Sequence, residues 1–112
     1  ALVYSTVQGD ERWTFIGHDG QPLVVPVRGP LRSNNLSALL SAARGGMGLA
    51  VLPWYVANDS VRGGAVQPLL TDWALPAQDI HAVFPSPKLV PSKVRSLCDF
   101  LALQFGPEWW AA

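Results

Sequence analysis

The chain has 112 residues, which is enough for one small domain with a modest core. Hydrophobic residues make up 49% and charged residues 14%, which excludes a disordered chain and points to apolar surface that another lobe or subunit covers. Lys plus Arg and Asp plus Glu number 8 each, so the chain has no general electrostatic attraction for nucleic acid.

No apolar run approaches the roughly 18 to 20 residues that span a bilayer, and no basic start leads into an apolar signal segment. Cys98 is the single cysteine, so no internal disulfide is expected, which suits a reducing compartment. The start at Ala1 rather than Met reads as a processed or excised piece.

Along the chain, "LVYSTV" (residues 2 to 7) reads as a short strand and "QGDER" as a polar turn. "RWTFIG" and "PLVVPVRG" flank "HDGQ", whose Asp19-Gly20 pair predicts a hairpin because both residues tolerate positive φ. Pro26 cannot donate to a ladder, so its strand is expected at an edge or at a bulge. From Leu36 the period changes: Leu36, Leu39, Leu40, Ala43 and Met47 fall at helical spacing and form one apolar stripe. Ser33, Asn34 and Asn35 are all good N-cap residues, and "RGG" (44 to 46) supplies a cationic last turn and a C-cap glycine.

"GLAVLP" (48 to 53) then reads as a buried strand of a parallel sheet, completing a βαβ unit. Pro53 opens a second, shorter helix that Gly63 and Gly64 stop. "AVQPLL" and "DIHAVFP" are two further strand candidates, separated by a loop. Val94, Leu97, Cys98, Leu101 and Phe105 then share one face of a final helix that begins near Pro91.

The usual catalytic arrangements are missing. His18 and His81 have no second His or Cys at metal-ligand spacing, and Cys98 lies on an apolar helix face where a thiol packs. There is no G-x-S-x-G elbow, no phosphate-binding G-x-x-x-x-G-K, and "GGMG" closes a helix rather than opening one. No enzyme, no metal and no cofactor are expected.

The remaining candidate is the stretch at Ser33, Asn34 and Asn35. The first amides of a helix lack intrahelical partners and its dipole attracts anions, so these side chains either cap the amides or join them in holding a carboxylate, sulfate or phosphate. Trp54 follows the "GLAVLP" strand, and ligands of open α/β sheets bind beyond the carboxyl ends of strands. It is therefore expected at the same rim, either over a ligand or as a surface cover. Trp73, Trp109 and Trp110, in a loop and a tail, are expected to make packing or crystal contacts.

The order of "RSNNLSALLSAARGGMGLAVLP", "VRGGAVQPLL", "HAVFPS" and "KVRSLCDFLAL" resembles the effector-binding region of LysR-type transcriptional regulators, from about residue 2 to about residue 105. The resemblance implies an α/β fold: one lobe of a periplasmic-binding-protein-like (type 2) fold, a mixed sheet flanked by helices, plus a C-terminal helix. It implies lobe two over residues 1–85, and a return segment with the final helix over 86–112 that packs on a missing lobe one or on a partner chain. It implies a small-molecule effector, anionic or otherwise, held between lobes and bordered by Ser33, Asn34, Asn35, Pro53 and Trp54. Similar sequences often carry an acid where Trp54 stands, so stacking on an apolar effector replaces a polar contact there. It further implies a cytoplasmic homodimer, a higher oligomer in the full-length protein, and promoter DNA bound only through an N-terminal domain outside this chain. A lobe of an extracytoplasmic solute-binding protein and a dimerisation module without ligand are the alternatives.

Overall fold

A computed structural model describes residues 1–5, 11–86, 88–107 and 109. The chain divides into two compact units, Ala1–Pro76 and Ala77–Ala112. In the first unit the elements run β1 (Leu2–Tyr4), β2 (Arg12–Ile16), β3 (Pro22–Pro26), β4 (Leu31–Ser33), α1 (Leu36–Arg44) and α2 (Trp54–Arg62). The second unit holds α3 (Ser92–Gln104).

The expected hairpin is present. β2 and β3 pair antiparallel from Arg12 opposite Pro26 to Ile16 opposite Pro22. Gly20 takes φ 74 in the connecting turn, and the Asp19 carboxylate accepts from the Gln21 amide at 3.0 Å. Pro26 stands in an edge strand, as its missing donor requires.

The core lies between a parallel sheet and α1. β1 pairs in parallel with β4, Leu2 opposite Leu31 and Tyr4 opposite Ser33, and on its other side Leu2 bridges Ala50, again in parallel. Leu2 and Leu39 are fully buried and Ala42 nearly so, with Leu31, Ala43, Ala50 and Leu52 packed against them. Leu39 and Ala42 are three residues apart on α1 and therefore share its inner face. Met47, which the helical stripe included, lies beyond the helix and is half exposed.

α1 and α2 end in the same way. Gly46 and Gly64 take φ 77 and 74, in the left-handed region that a β-carbon disfavours. At the first end Gly46 donates to the Ala43 carbonyl and Met47 to that of Ala42, both at 3.0 Å. At the second Gly64 donates to Val61 at 3.1 Å and Ala65 to Ser60 at 2.8 Å. Each is a Schellman closure, in which backbone amides beyond the helix satisfy its last carbonyls.

Three strand expectations need correction. "GLAVLP" forms no regular strand: it joins the sheet only through the bridge at Ala50 and the bond from the Leu2 amide to the Leu49 carbonyl, 2.7 Å. "AVQPLL" is irregular, because Pro68 has no amide hydrogen and Leu70 takes φ 54. "DIHAVFP" is irregular as well, with Ile80 and Val83 exposed and no described partner strand. β4 was not among the expected strands, because three residues leading straight to a cap show no strand period of their own. Of the 2-to-7 strand, residues 6 and 7 lie outside the described residues, as does most of the "QGDER" turn.

In the second unit α3 follows Pro91, its N-cap, and contains no buried residue. Val94 and Cys98 are half-buried, while Leu97, Leu101 and Phe105 are exposed. Phe105 meets Trp109 edge to face at 4.8 Å. Among the described residues no helix is long and apolar enough to cross a membrane.

Two outcomes follow from this packing. Leu39→Ala should cost about 2–5 kcal/mol, since it empties the centre of a small core, and a urea unfolding curve reads the loss. Gly46→Ala and Gly64→Ala should each cost about 1–2 kcal/mol through the left-handed backbone, seen as a lower midpoint in thermal melts.

Candidate functional site

The register of the parallel sheet decides where the candidate residues stand. β4 ends at Ser33 beside Tyr4, and the Ser5 amide continues the pairing by donating to the Ser33 carbonyl at 2.9 Å. The Leu2–Ala50 bridge is also parallel, so the chain from Ala50 to Leu52, although irregular, leaves it in the direction of β1. The chain then turns into α1 after Ser33 and into α2 after Leu52. Ser33, Asn34 and Asn35 on one side and Pro53 and Trp54 on the other thus open at the same carboxyl edge of the sheet.

The polar cluster is largely internally satisfied. Asn35 is the N-cap of α1: its side-chain oxygen accepts from the amides of Ser37 at 2.9 Å and Ala38 at 3.2 Å. The Ser33 hydroxyl accepts from the Asn35 amide at 3.1 Å and fixes the entry to the helix. Asn34 is exposed, and its side chain has no hydrogen-bond partner among the described residues. So two of the three cap-type residues hold the backbone, and the third offers its amide to solvent. Beside them Arg32 pairs with Glu11 at 2.8 Å, with both side chains well exposed. Such a surface pair contributes little stability.

Pro53 is the N-cap of α2, and its carbonyl accepts from the amides of Val56 at 3.0 Å and Ala57 at 3.2 Å. It has no side chain that can cap, so the start of α2 depends on proline's fixed φ. Trp54 follows, 44% exposed as a residue and available for contact. Tyr4 and Ser5 went unnoticed as rim residues in the sequence. The signal lay in strand order: β1 is the middle strand, so its end falls between the two helix starts.

Next to this rim is an apolar groove of about 580 Å³, which Trp54 also lines. One wall is a row of rings. Trp13 meets Phe15 edge to face at 6.5 Å, and Phe15 meets Trp73 in the same way at 6.4 Å. Trp13 and Phe15 sit two apart on β2 and so point to one side of the strand. Trp73 is set beside them by its neighbour: Ala74 bridges Ile16, with reciprocal amide bonds of 2.7 and 2.9 Å. Residues 49 to 52 and 65 to 71 contribute most of the rest of the lining, Gln67 and Thr71 among them, and Arg44, at the end of α1, is the one charged lining residue among those described. The aromatic pair in "RWTFIG" was readable as a face, but Trp73 was not, because a single bridge far along the chain places it. Among the described residues no group of His, Cys, Asp and Glu is arranged to hold a metal.

Residues 1–106 match the model of the LysR substrate binding domain. The chain is 32% identical over 96 residues to the HTH-type transcriptional regulator PtxR of Pseudomonas aeruginosa, covering 86% of this chain and 30% of that protein. It is 35% identical over 89 residues to an HTH-type transcriptional regulator of Xanthomonas campestris pv. campestris, covering 78% of this chain and 26% of the other. The regulatory domain of AphB from Vibrio vulnificus, treated with cumene hydroperoxide, superposes with a TM-score of 0.65 at 26% identity over 84% of this chain and 47% of that one. The same domain in another structure gives 0.64. This chain therefore spans between a quarter and a third of the length of its curated relatives and about half of the solved regulatory domain. Those relatives are transcriptional regulators, and the shared fold is the periplasmic-binding-like α/β domain. The chain belongs to the LysR substrate-binding domain family.

Proposed function

We propose that the rim formed by Ser33, Asn34, Asn35, Pro53 and Trp54 is one jaw of the effector cleft of a cytoplasmic LysR-type regulator, whose promoter-binding domain lies outside this chain. The observation that carries the reading is the parallel register, which brings the starts of α1 and α2 to one edge of the sheet. Ser33 and Asn35 fix the entry to α1. Asn34 meets the polar head of a small molecule, and Trp54 covers its apolar part. An effector that binds the closed clamshell more tightly than the open one shifts the population towards it, and the attached DNA-binding domains change geometry.

The same reading includes a homodimer. α3 exposes Leu97, Leu101 and Phe105 and buries none of its residues, so its apolar face is available to a second copy, with the helix exchanged between chains.

Two experiments test these statements. In the intact regulator, Asn34→Ala should abolish reporter induction while leaving promoter binding unchanged. Its effect on the stability of this chain should stay within about 0.5 kcal/mol, as for an unpaired surface residue. Asn35→Ala, by contrast, should cost about 1 kcal/mol as a lost cap. Normal induction by both Asn34→Ala and Trp54→Ala would remove these residues from the site. For the dimer, light scattering of the 112-residue chain should give twice the monomer mass, and Leu101→Asp should return it to one. A wild-type chain that stays monomeric at high concentration excludes the exchange.

A further inference from the structure

The ring wall of Trp13, Phe15 and Trp73 has no role in the cleft reading, which shares only Trp54 with this groove, and the groove's composition is selective. Three rings stand edge to face along one wall, which leaves flat faces and edges for a further planar ring. Its volume, about 580 Å³, falls in the range of small-molecule sites. Arg44 is the only charge among its described lining residues; no acid lines the groove, and no described residue forms an ion pair with this guanidinium. As the cation of the last turn of α1 it complements the helix dipole, but that role does not engage the guanidinium fork. An unopposed arginine beside an aromatic wall matches a carboxylate on a flat apolar body, because the fork pairs with both carboxylate oxygens.

We propose that this groove is a binding site for a small planar aromatic carboxylate, with its rings against the Trp13–Phe15–Trp73 wall and its carboxylate on Arg44. The groove is built from residues 13 to 75 alone, so the site requires neither Asn34 nor a second lobe. The proposal goes beyond the cleft reading and stands or falls separately from it.

The test titrates the 112-residue chain with 2-naphthoate and with its neutral counterpart 2-naphthalenemethanol, followed by calorimetry and by the indole NH signals in nitrogen–proton spectra. One site per chain is expected, with the signals of Trp13 and Trp73, which the cleft reading does not use, shifting. The carboxylate should bind about tenfold more tightly than the alcohol, the value of one charge-assisted pair. Arg44→Gln should erase that difference and leave the alcohol's affinity unchanged, while Trp73→Ala should weaken both probes. Asn34→Ala should change neither. Non-saturating heats with 2-naphthoate, equal affinities for the two probes, or a preference that survives Arg44→Gln would overturn the assignment. Arg44 is exposed at a helix end, so its variant keeps the test decisive even where Trp73→Ala fails to fold.

Discussion

The first unit is organised around one strand of three residues. β1 accepts β4 along one edge and Ala50 along the other, and Leu2 at its start is 1% exposed beneath α1. Parallel pairing on both sides of a central strand requires that each neighbour be reached by a crossover, and α1 supplies one of them. Because both neighbours run with β1, the turns that follow Ser33 and Leu52 leave at the carboxyl edge of the sheet, and each opens a helix there. The rim thus results from strand direction. Burial of Leu2 and Leu39 stabilises that direction, since reversing either neighbour would break the close fit of a very small core.

What could be read from the sequence divides along the same line. α1, α2 and α3 were legible because a helix satisfies its hydrogen bonds within its own residues and its signals are local: the Asn35 cap, Pro53, Pro91 and the paired glycines. The hairpin was legible because Asp19-Gly20 and Pro26 act over a few residues. β4 and the stretch at 49 to 52 were misread because their state depends on a strand some thirty to fifty positions away. A run such as "GLAVLP" has the composition of a buried strand, yet only Ala50 pairs. Residues 80 to 84 carry the same composition and pair with nothing described. Hydrophobicity marks what can join a sheet, and the partner decides whether it does.

The candidate rim shows a similar division. Three successive cap-type residues could be seen in the sequence, but not how they share the work. Asn35 and Ser33 hold backbone amides, while Asn34 is left to solvent. Tyr4 and Ser5 join them only because β1 is central. The aromatic groove depends still more on tertiary placement. Trp73 lies beyond two helices from Phe15 and is brought to it by one reciprocal pair of backbone bonds. Family membership supplies the setting for the rim, since the relatives are regulators with a matching domain. The groove has no counterpart in that argument and is supported by its own chemistry.

The twin glycine endings limit how this lobe can change over time. Each helix has nine residues, about 13 Å of rise, before its closure redirects the chain. One inserted residue would turn everything after it by about 100° around the helix axis, so that the closing glycine would face a different direction. Arg44 would leave the groove, and the bridge at Ala50 would lose its alignment with Leu2. Length variation should therefore accumulate in the turn at 17 to 21, which is exposed apart from Gly17, while the two helices keep their residue count.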